Sequence, residues 1–192
     1  MAVAFAQPSG SRVLDLMNTV DWRDDPLRRV DLMPNAAAMA AWVRHEGFVA
    51  ADARACRLAS HRHRAAELRE TLAVLFAAAC REAPLPSKAL AALSNWTQEA
   101  WRHRQLAVRG NTPQWQWNAR LAGADRVLFT IALEAGELLM SPELRRVRIC
   151  AGSGCGWFFL DRSKAGRRRW CTMASCGNRV KVRSYRERVA GV

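Results

Sequence analysis

Apolar residues recur at helical spacing through most of the first three quarters of the chain, and only short stretches break that rhythm. Val13, Leu14, Met17 and Val20 predict a short amphipathic helix within 11–22. Pro34 and Asn35 then precede AAAMAAWVRHEG, which reads as a capped helix with Asn35 at its start and Gly47 at its end. An Ala/Arg/Leu/Glu segment over 52–82 predicts a long helix that the Pro84-Leu85-Pro86 turn stops, and Ser87 opens another to about residue 103. The alternating runs 105–109 and 114–117, around Gly110-Asn111-Thr112-Pro113, predict a β-hairpin. Val127, Leu128, Ile131, Leu138 and Leu139 restore the helical period over 124–140, and Ser141-Pro142 ends it. The expected fold is mainly α with a small β-hairpin (α+β) over 1–144, followed by a different kind of segment over 145–192.

Charge marks the same boundary. The chain of 192 residues carries a formal +13. From Arg145 onward thirteen Lys/Arg stand against Asp161 and Glu187, a net +11, while 1–144 amounts to only +2. A near-neutral body with a basic tail suggests a polyanionic partner. Only three of the thirty basic residues are lysine, a preference that accounts for Arg over Lys and not for their concentration in one quarter of the chain. The opening MAVAFAQPSG lacks a basic leader region, and no apolar run approaches the length of a membrane span, so a cytoplasmic protein with no membrane partner is expected.

Little in the body suggests catalysis, and no catalytic residue is assigned. His61 and His63 point some 200° apart on a helix at ~100° per residue, which fits a solvated surface. Trp22, Trp42, Trp96, Trp101, Trp115 and Trp117 either anchor the core or line an aromatic pocket. Asp15 and Asn18 share a helix face, as a structural hydrogen-bonded pair or, with Trp22, as a ligand pocket. Cys56 and Cys80 lie alone in Ala-rich sequence and read as small buried hydrophobes.

The chemistry is concentrated in the tail. Cys150 and Cys155, then Cys171 and Cys176, form two C-x4-C pairs fifteen residues apart, the spacing of two chelating turns around one structural Zn2+ per chain. Ala-Gly-Ser-Gly inside the first pair lets the loop wrap the ion. Residues 157–160 and 167–170 are expected to pair as a β-hairpin, with a helix starting at Cys176. That order makes a treble-clef-like zinc finger whose small core would be Trp157, Phe159, Trp170, Val182 and Tyr185. Projected at ~100° per residue, Arg179, Arg183 and Arg186 share one face, and Asn178, Val182, Tyr185 and Val189 an adjacent stripe. Packing that stripe on the hairpin would turn Asn178 toward the metal, with its amide on a cysteine sulfur or the first knuckle, and leave Arg179 outside. Arg167, Arg168, Arg169, Arg179, Lys181, Arg183, Arg186 and Arg188 are the candidate nucleic-acid contacts.

Cys176-Gly177-Asn178-Arg179, preceded by Arg168-Arg169-Trp170-Cys171 and by Cys150-x4-Cys155 with an aromatic run ending in Asp161, resembles the CGNR zinc-finger proteins. Leu14-Asp15-Leu16-Met17-Asn18-Thr19 is similar to the Leu-Asp-Phe-x-Asn-Thr opening of the ABATE domain that accompanies this finger, with Leu16 where the family often has Phe. The resemblance implies a bacterial, stress-related transcription regulator whose finger binds DNA. It also implies that the four cysteines are the zinc ligands, with Gly177, Asn178 and Arg179 as the motif core.

The leading expectation is thus a DNA-binding regulator with a body that senses a small molecule or forms a homodimer. Two alternatives use the same surface. Zinc could build a platform for an acidic protein, or the finger could bind RNA by stacking bases on Trp157 and Phe158. An enzyme is the weakest reading, because no nucleophile–base pair, metal triad or phosphate loop is present in the sequence.

Overall fold

Helical periodicity becomes helix almost wherever the sequence carries it. The computed structural model describes Phe5 and residues 9–48, 59–121 and 123–189. Its body comprises α1 (Arg12–Met17), a two-residue ladder of β1 (Val20–Asp21) with β2 (Val30–Asp31), α2 (Ala36–His45), α3 (Ala59–Cys80), α4 (Ser87–Arg102), the hairpin β3 (Arg104–Arg109) and β4 (Thr112–Trp117), and α5 (Gly123–Met140). A 3-10 turn, Pro142–Arg146, leads to β5 (Val147–Ile149), β6 (Phe158–Leu160) and α6 (Asn178–Val189). Cys56 and the expected first turns of the long helix lie outside the described residues. Among the described residues no helix is long and apolar enough to cross a membrane.

α3 is the central post. Leu68, Leu72, Leu75 and Phe76, at the i, i+4, i+7, i+8 spacing of one helix face, are fully buried, and the helix packs on α1, α2, α4, α5 and β5. Arg69 on the same helix is also buried. It donates to both carboxylate oxygens of Asp31, at 2.9 and 3.0 Å, and to Thr19 Oγ1 at 3.1 Å, which ties the β1–β2 ladder to the core. Burial opposes the Asp31 charge, but the Arg69 bonds and the Met33 N–H outweigh it and hold the carboxyl below its usual range. Asn35 caps α2 by accepting from Ala38 N at 2.9 Å, and Gly47 follows the helix in the left-handed region, as the sequence predicts.

The expected β3–β4 hairpin forms, but its turn is the two-residue Gly110-Asn111 rather than four residues, so Arg109 pairs with Thr112 and the second strand starts two residues early. The tryptophans are dispersed, with Trp101 and Trp115 exposed, and do not share one pocket. Trp42 and Trp96 are buried, Trp117 stacks on Phe129, and Trp101 meets Trp115 edge-on at 5.2 Å. Cys80 is half-buried, and burial pushes its thiol up to about 11.

Three expectations need correction. α1 stops at Met17 instead of running toward Trp22, because Asn18 turns its side chain away to bond a distant strand and Val20 enters the β1–β2 ladder. The finger's hairpin pairs β5 with β6, Val147 opposite Leu160, across the first cysteine knuckle. Residues 167–170 are no strand: the backbone there is folded back by Asp161, which accepts from the N–H groups of Ser163 and Arg168, both at 2.9 Å. Finally, Val182, Tyr185 and Val189 do not pack on the hairpin; all three are exposed, and no residue of α6 is buried.

The body and the finger share β6. Its alternation sends Phe158 and Leu160 into the helical core, where Val147 joins them, and Phe159 into the cysteine cluster. Asn18 fixes that strand edge. Its amide donates to Phe158 O and its Oδ1 accepts from Phe158 N, each at 2.8 Å and both buried, as a neighbouring strand would.

Asn18→Ala would strand both backbone groups of Phe158 between two cores. At about 1–3 kcal/mol for each unsatisfied buried group, the expected loss is about 2–6 kcal/mol in urea unfolding, with the slope unchanged. A loss below about 0.5 kcal/mol would mean that water replaces the amide.

Candidate metal centre and basic surface

Four buried sulfurs converge at the end of the β5–β6 hairpin. The Sγ atoms of Cys150, Cys155, Cys171 and Cys176 all lie within 4.8 Å of one another. Cys155 and Cys171 are 3.9 Å apart, and Cys171 and Cys176 3.6 Å. A tetrahedral ion with Zn–S bonds of ~2.3 Å has S···S edges of ~3.8 Å, so the cage fits a four-coordinate thiophilic ion. All four corners are protein sulfur, which leaves no open position for water activation.

Backbone groups prepare the cage. Cys150 Sγ accepts from Gly152 N at 3.4 Å and Cys171 N at 3.3 Å, while Cys150 N donates to Trp157 O and Ala151 N to Arg169 O. The neighbouring thiols, and then these backbone bonds, pull Cys150 toward the thiolate, while hydrogen bonding with Cys150 and then burial push Cys155 and Cys171 up. A divalent cation removes that conflict. Gly152 passes so close to Cys176 that a Cβ would stand 3.0 Å from its sulfur. The second knuckle closes in a wide turn: Gly177 N donates to Thr172 O, five residues back, and Thr172 Oγ1 accepts from Ser175 N. A Cβ on Gly177 would press on Met173 and on the Trp170 ring at 3.0 Å.

Around the cage the expected roles of Asn178 and Arg179 are exchanged. Asn178 is exposed, and its amide donates to Ala174 O at 3.4 Å. Arg179 turns back instead, donating to Cys176 Sγ at 2.9 Å. The chemistry favours this exchange, since four thiolates around a dication carry net negative charge that a guanidinium compensates and an amide does not. Arg179 also lies 4.3 Å over the Trp22 ring, whose other neighbour is Arg28 at 3.8 Å.

Trp22 belongs to a body loop, residues 22–28, that docks on the first knuckle. Arg23 N donates to Cys155 O at 3.2 Å. Its guanidinium holds Met17 O at 2.8 Å and Glu70 at 2.5 Å. Gly154 and Gly156, both at positive φ, face this loop so closely that a Cβ would meet the Asp25 and Arg23 side chains under 3.0 Å away. Nothing in the local sequence marks 22–28 as a partner of cysteines more than a hundred residues later.

The candidate ligand trio is therefore dispersed. Asn18 is committed to Phe158, Trp22 to the metal face, and Asp15 accepts from Ser9 N at 2.7 Å. Asp15 lines a separate groove with Arg12, Glu46, Glu134 and Glu137. Burial, then the Asp15 charge, push Glu46 up to about 7 there.

The basic candidates divide likewise. Arg168 is spent on structure, donating to Trp170 O and Cys171 O and stacking on Phe159. Arg169 stacks on Trp170, and Arg167 is exposed. Lys181, Arg183, Arg186 and Arg188 all stand exposed on α6, and Arg179, Arg183 and Arg186 line one groove, on the shared face their spacing predicts.

Arg179→Ala is expected to weaken metal retention ~10–100-fold, as losses of groups supporting a metal ligand do, while Asn178→Ala leaves it within about threefold. Competition with a chromophoric chelator measures both, and equal retention by the two variants would remove Arg179 from the metal. A separate expectation concerns pH. Glu46 has a folded pKa raised above its unfolded value near 4.5, so its contribution is fully present below that value and is lost as pH rises toward 7. Glu46→Gln should match the wild type near pH 4.5 and exceed its stability at pH 8; equal melting temperatures at pH 8 would contradict this.

Residues 10–142 match the family model ABATE, described as "Putative stress-induced transcription regulator", and residues 146–189 match that of the CGNR zinc finger. No curated protein matches the chain.

Proposed function

Since the chain belongs to the ABATE family and carries a CGNR zinc finger after that domain, we propose that it is a zinc-stabilised, DNA-binding transcription regulator of the cytoplasm. The two families are regulatory and zinc-finger types and not known enzymes. The observation that carries the reading is α6: a twelve-residue helix that starts two residues after the last cysteine, buries nothing, and presents Arg179, Lys181, Arg183, Arg186 and Arg188 against a single Glu187. A helix with no packed face contributes little to its own stability, and this much like charge resists association with a second α6. Phosphate backbones supply the missing counter-charge.

The zinc identity is supported by the four-cysteine donor set and by the 3.6 and 3.9 Å sulfur separations, close to the ~3.8 Å edge of a tetrahedral zinc. The ion holds and orients α6, and the arginines bind. We assign the body to sensing or dimerisation, on the support of an apolar groove of about 490 Å3 between α4 and α5, lined by Leu93, Trp101, Leu133, Leu139 and Met140. An acidic protein partner is the competing reading, favoured by the exposed Val182, Tyr185 and Val189.

Protein purified without chelator is expected to carry one zinc per chain by elemental analysis and to bind duplex DNA with log affinity falling linearly in log salt. Arg183→Glu with Arg186→Glu should abolish binding at moderate salt while zinc stays bound. Failure of the zinc-loaded chain to bind any DNA or RNA at low salt would replace this reading with the acidic-protein platform.

A further inference from the structure

Two cavities meet on the metal face of the molecule. One, of about 230 Å3, is lined by Trp22, Arg28, Ser153, Arg179 and Arg183 among others; the second, of about 550 Å3, by Ser175, Asn178, Arg179, Arg183 and Arg186 among others. Arg179 and Arg183 line both. The two cavities therefore adjoin along Arg179 and Arg183, and their cations run from Arg28 on the body to Arg186 on α6. No carboxylate lines either cavity, whereas the grooves around Asp15, around Trp96 and between α4 and α5 each include at least one glutamate.

Arg28 is held in place before any ligand arrives. Its Nε–H donates to Asp25 at 2.5 Å, its plane lies over the Trp22 ring, and its side chain remains half exposed. A guanidinium has five N–H donors in a fixed fork, so one bond to Asp25 leaves its Nη edge for a phosphate oxygen. Holding the fork in advance lowers the ordering cost of binding. Next to it Leu27 is 97% exposed, with nothing packed on it. The loop is no chance neighbour of the finger, because the Arg23–Cys155 bond and the close approach at Gly154 and Gly156 fix its position against the cage.

From this we infer that the nucleic-acid footprint extends beyond the finger onto the body's 22–28 loop, with Arg28 contacting a backbone phosphate of the same duplex that α6 binds. The inference rests on the nucleic-acid reading above and adds a residue outside the finger to it. It also makes the body a direct contributor to affinity, through a preset cation beside the metal.

The test uses the full-length, zinc-loaded chain and a random-sequence 20-base-pair duplex, titrated by fluorescence anisotropy over a range of KCl. Arg28→Ala is expected to weaken binding about three- to tenfold and to lower the log–log salt slope by about 0.9, the loss of one phosphate contact. Arg102→Ala removes the same charge from α4, outside the groove, and should leave the slope unchanged. Leu27→Lys, at a site that packs on nothing, should raise the slope by about 0.9. Zinc content and melting temperature are measured for each variant, and if Arg28→Ala loses either, Leu27→Lys decides. Should the wild type bind and Arg183→Ala lose a contact while Arg28→Ala and Leu27→Lys keep the wild-type slope, the footprint ends at the finger and this inference falls alone. Should the wild type bind no nucleic acid, both readings fall.

Discussion

Four thiols held within 4.8 Å of one another pose a problem that the polypeptide does not solve by itself. Ionised together they repel; protonated together they bind no metal. A cation at their centre turns the crowding into attraction, and the chain after Leu160 depends on it. The chain between Leu160 and Cys171 is irregular, tied by Asp161 and by arginines bonded to carbonyls, and α6 has no core of its own. Arg179 completes the charge balance from outside the cage.

A second constraint joins this small unit to the rest. β6 is three residues long, yet it serves two interiors: Phe158 and Leu160 point one way and Phe159 the other. The two family spans meet at residues 142 and 146, but the packing continues across that seam. The polar letters of the N-terminal motif acquire a physical meaning here. Asp15 holds the chain entering α1, Asn18 holds β6, and Thr19 bonds back to Leu16 O while accepting from Arg69.

How much of this was legible beforehand follows from how local each feature is. The helices, the β3–β4 hairpin and the four cysteines announce themselves through period and spacing over a few residues. The Asn18–Phe158 pair spans 140 residues, and nothing near either position hints at the other. The strand partner of β6 is not legible from spacing, because 167–170 is an equally short run, and it is Asp161, folding 161–168 into a loop, that leaves β6 to pair with 147–149. For α6 the projection found which arginines share a face but not where that face points. The wide turn ending at Gly177 resets the helical phase after the last ligand, so Arg179 and not Asn178 comes round to the sulfur.

The nakedness of α6 has a mechanical consequence. A helix anchored only at its first turn is a lever with its fulcrum at Cys176, and at ~1.5 Å per residue its twelve residues reach ~18 Å from that pivot. A tilt of ~5° at the sulfur cage sweeps the far end through ~1.6 Å, enough to separate a guanidinium from a phosphate it touches. The Trp22 loop leans on this lever close to its pivot, where Arg179 sits. Any displacement of the helical body that tilted α6 at this contact would be geared up at the tip, and only a rigid cage would let the arm transmit it.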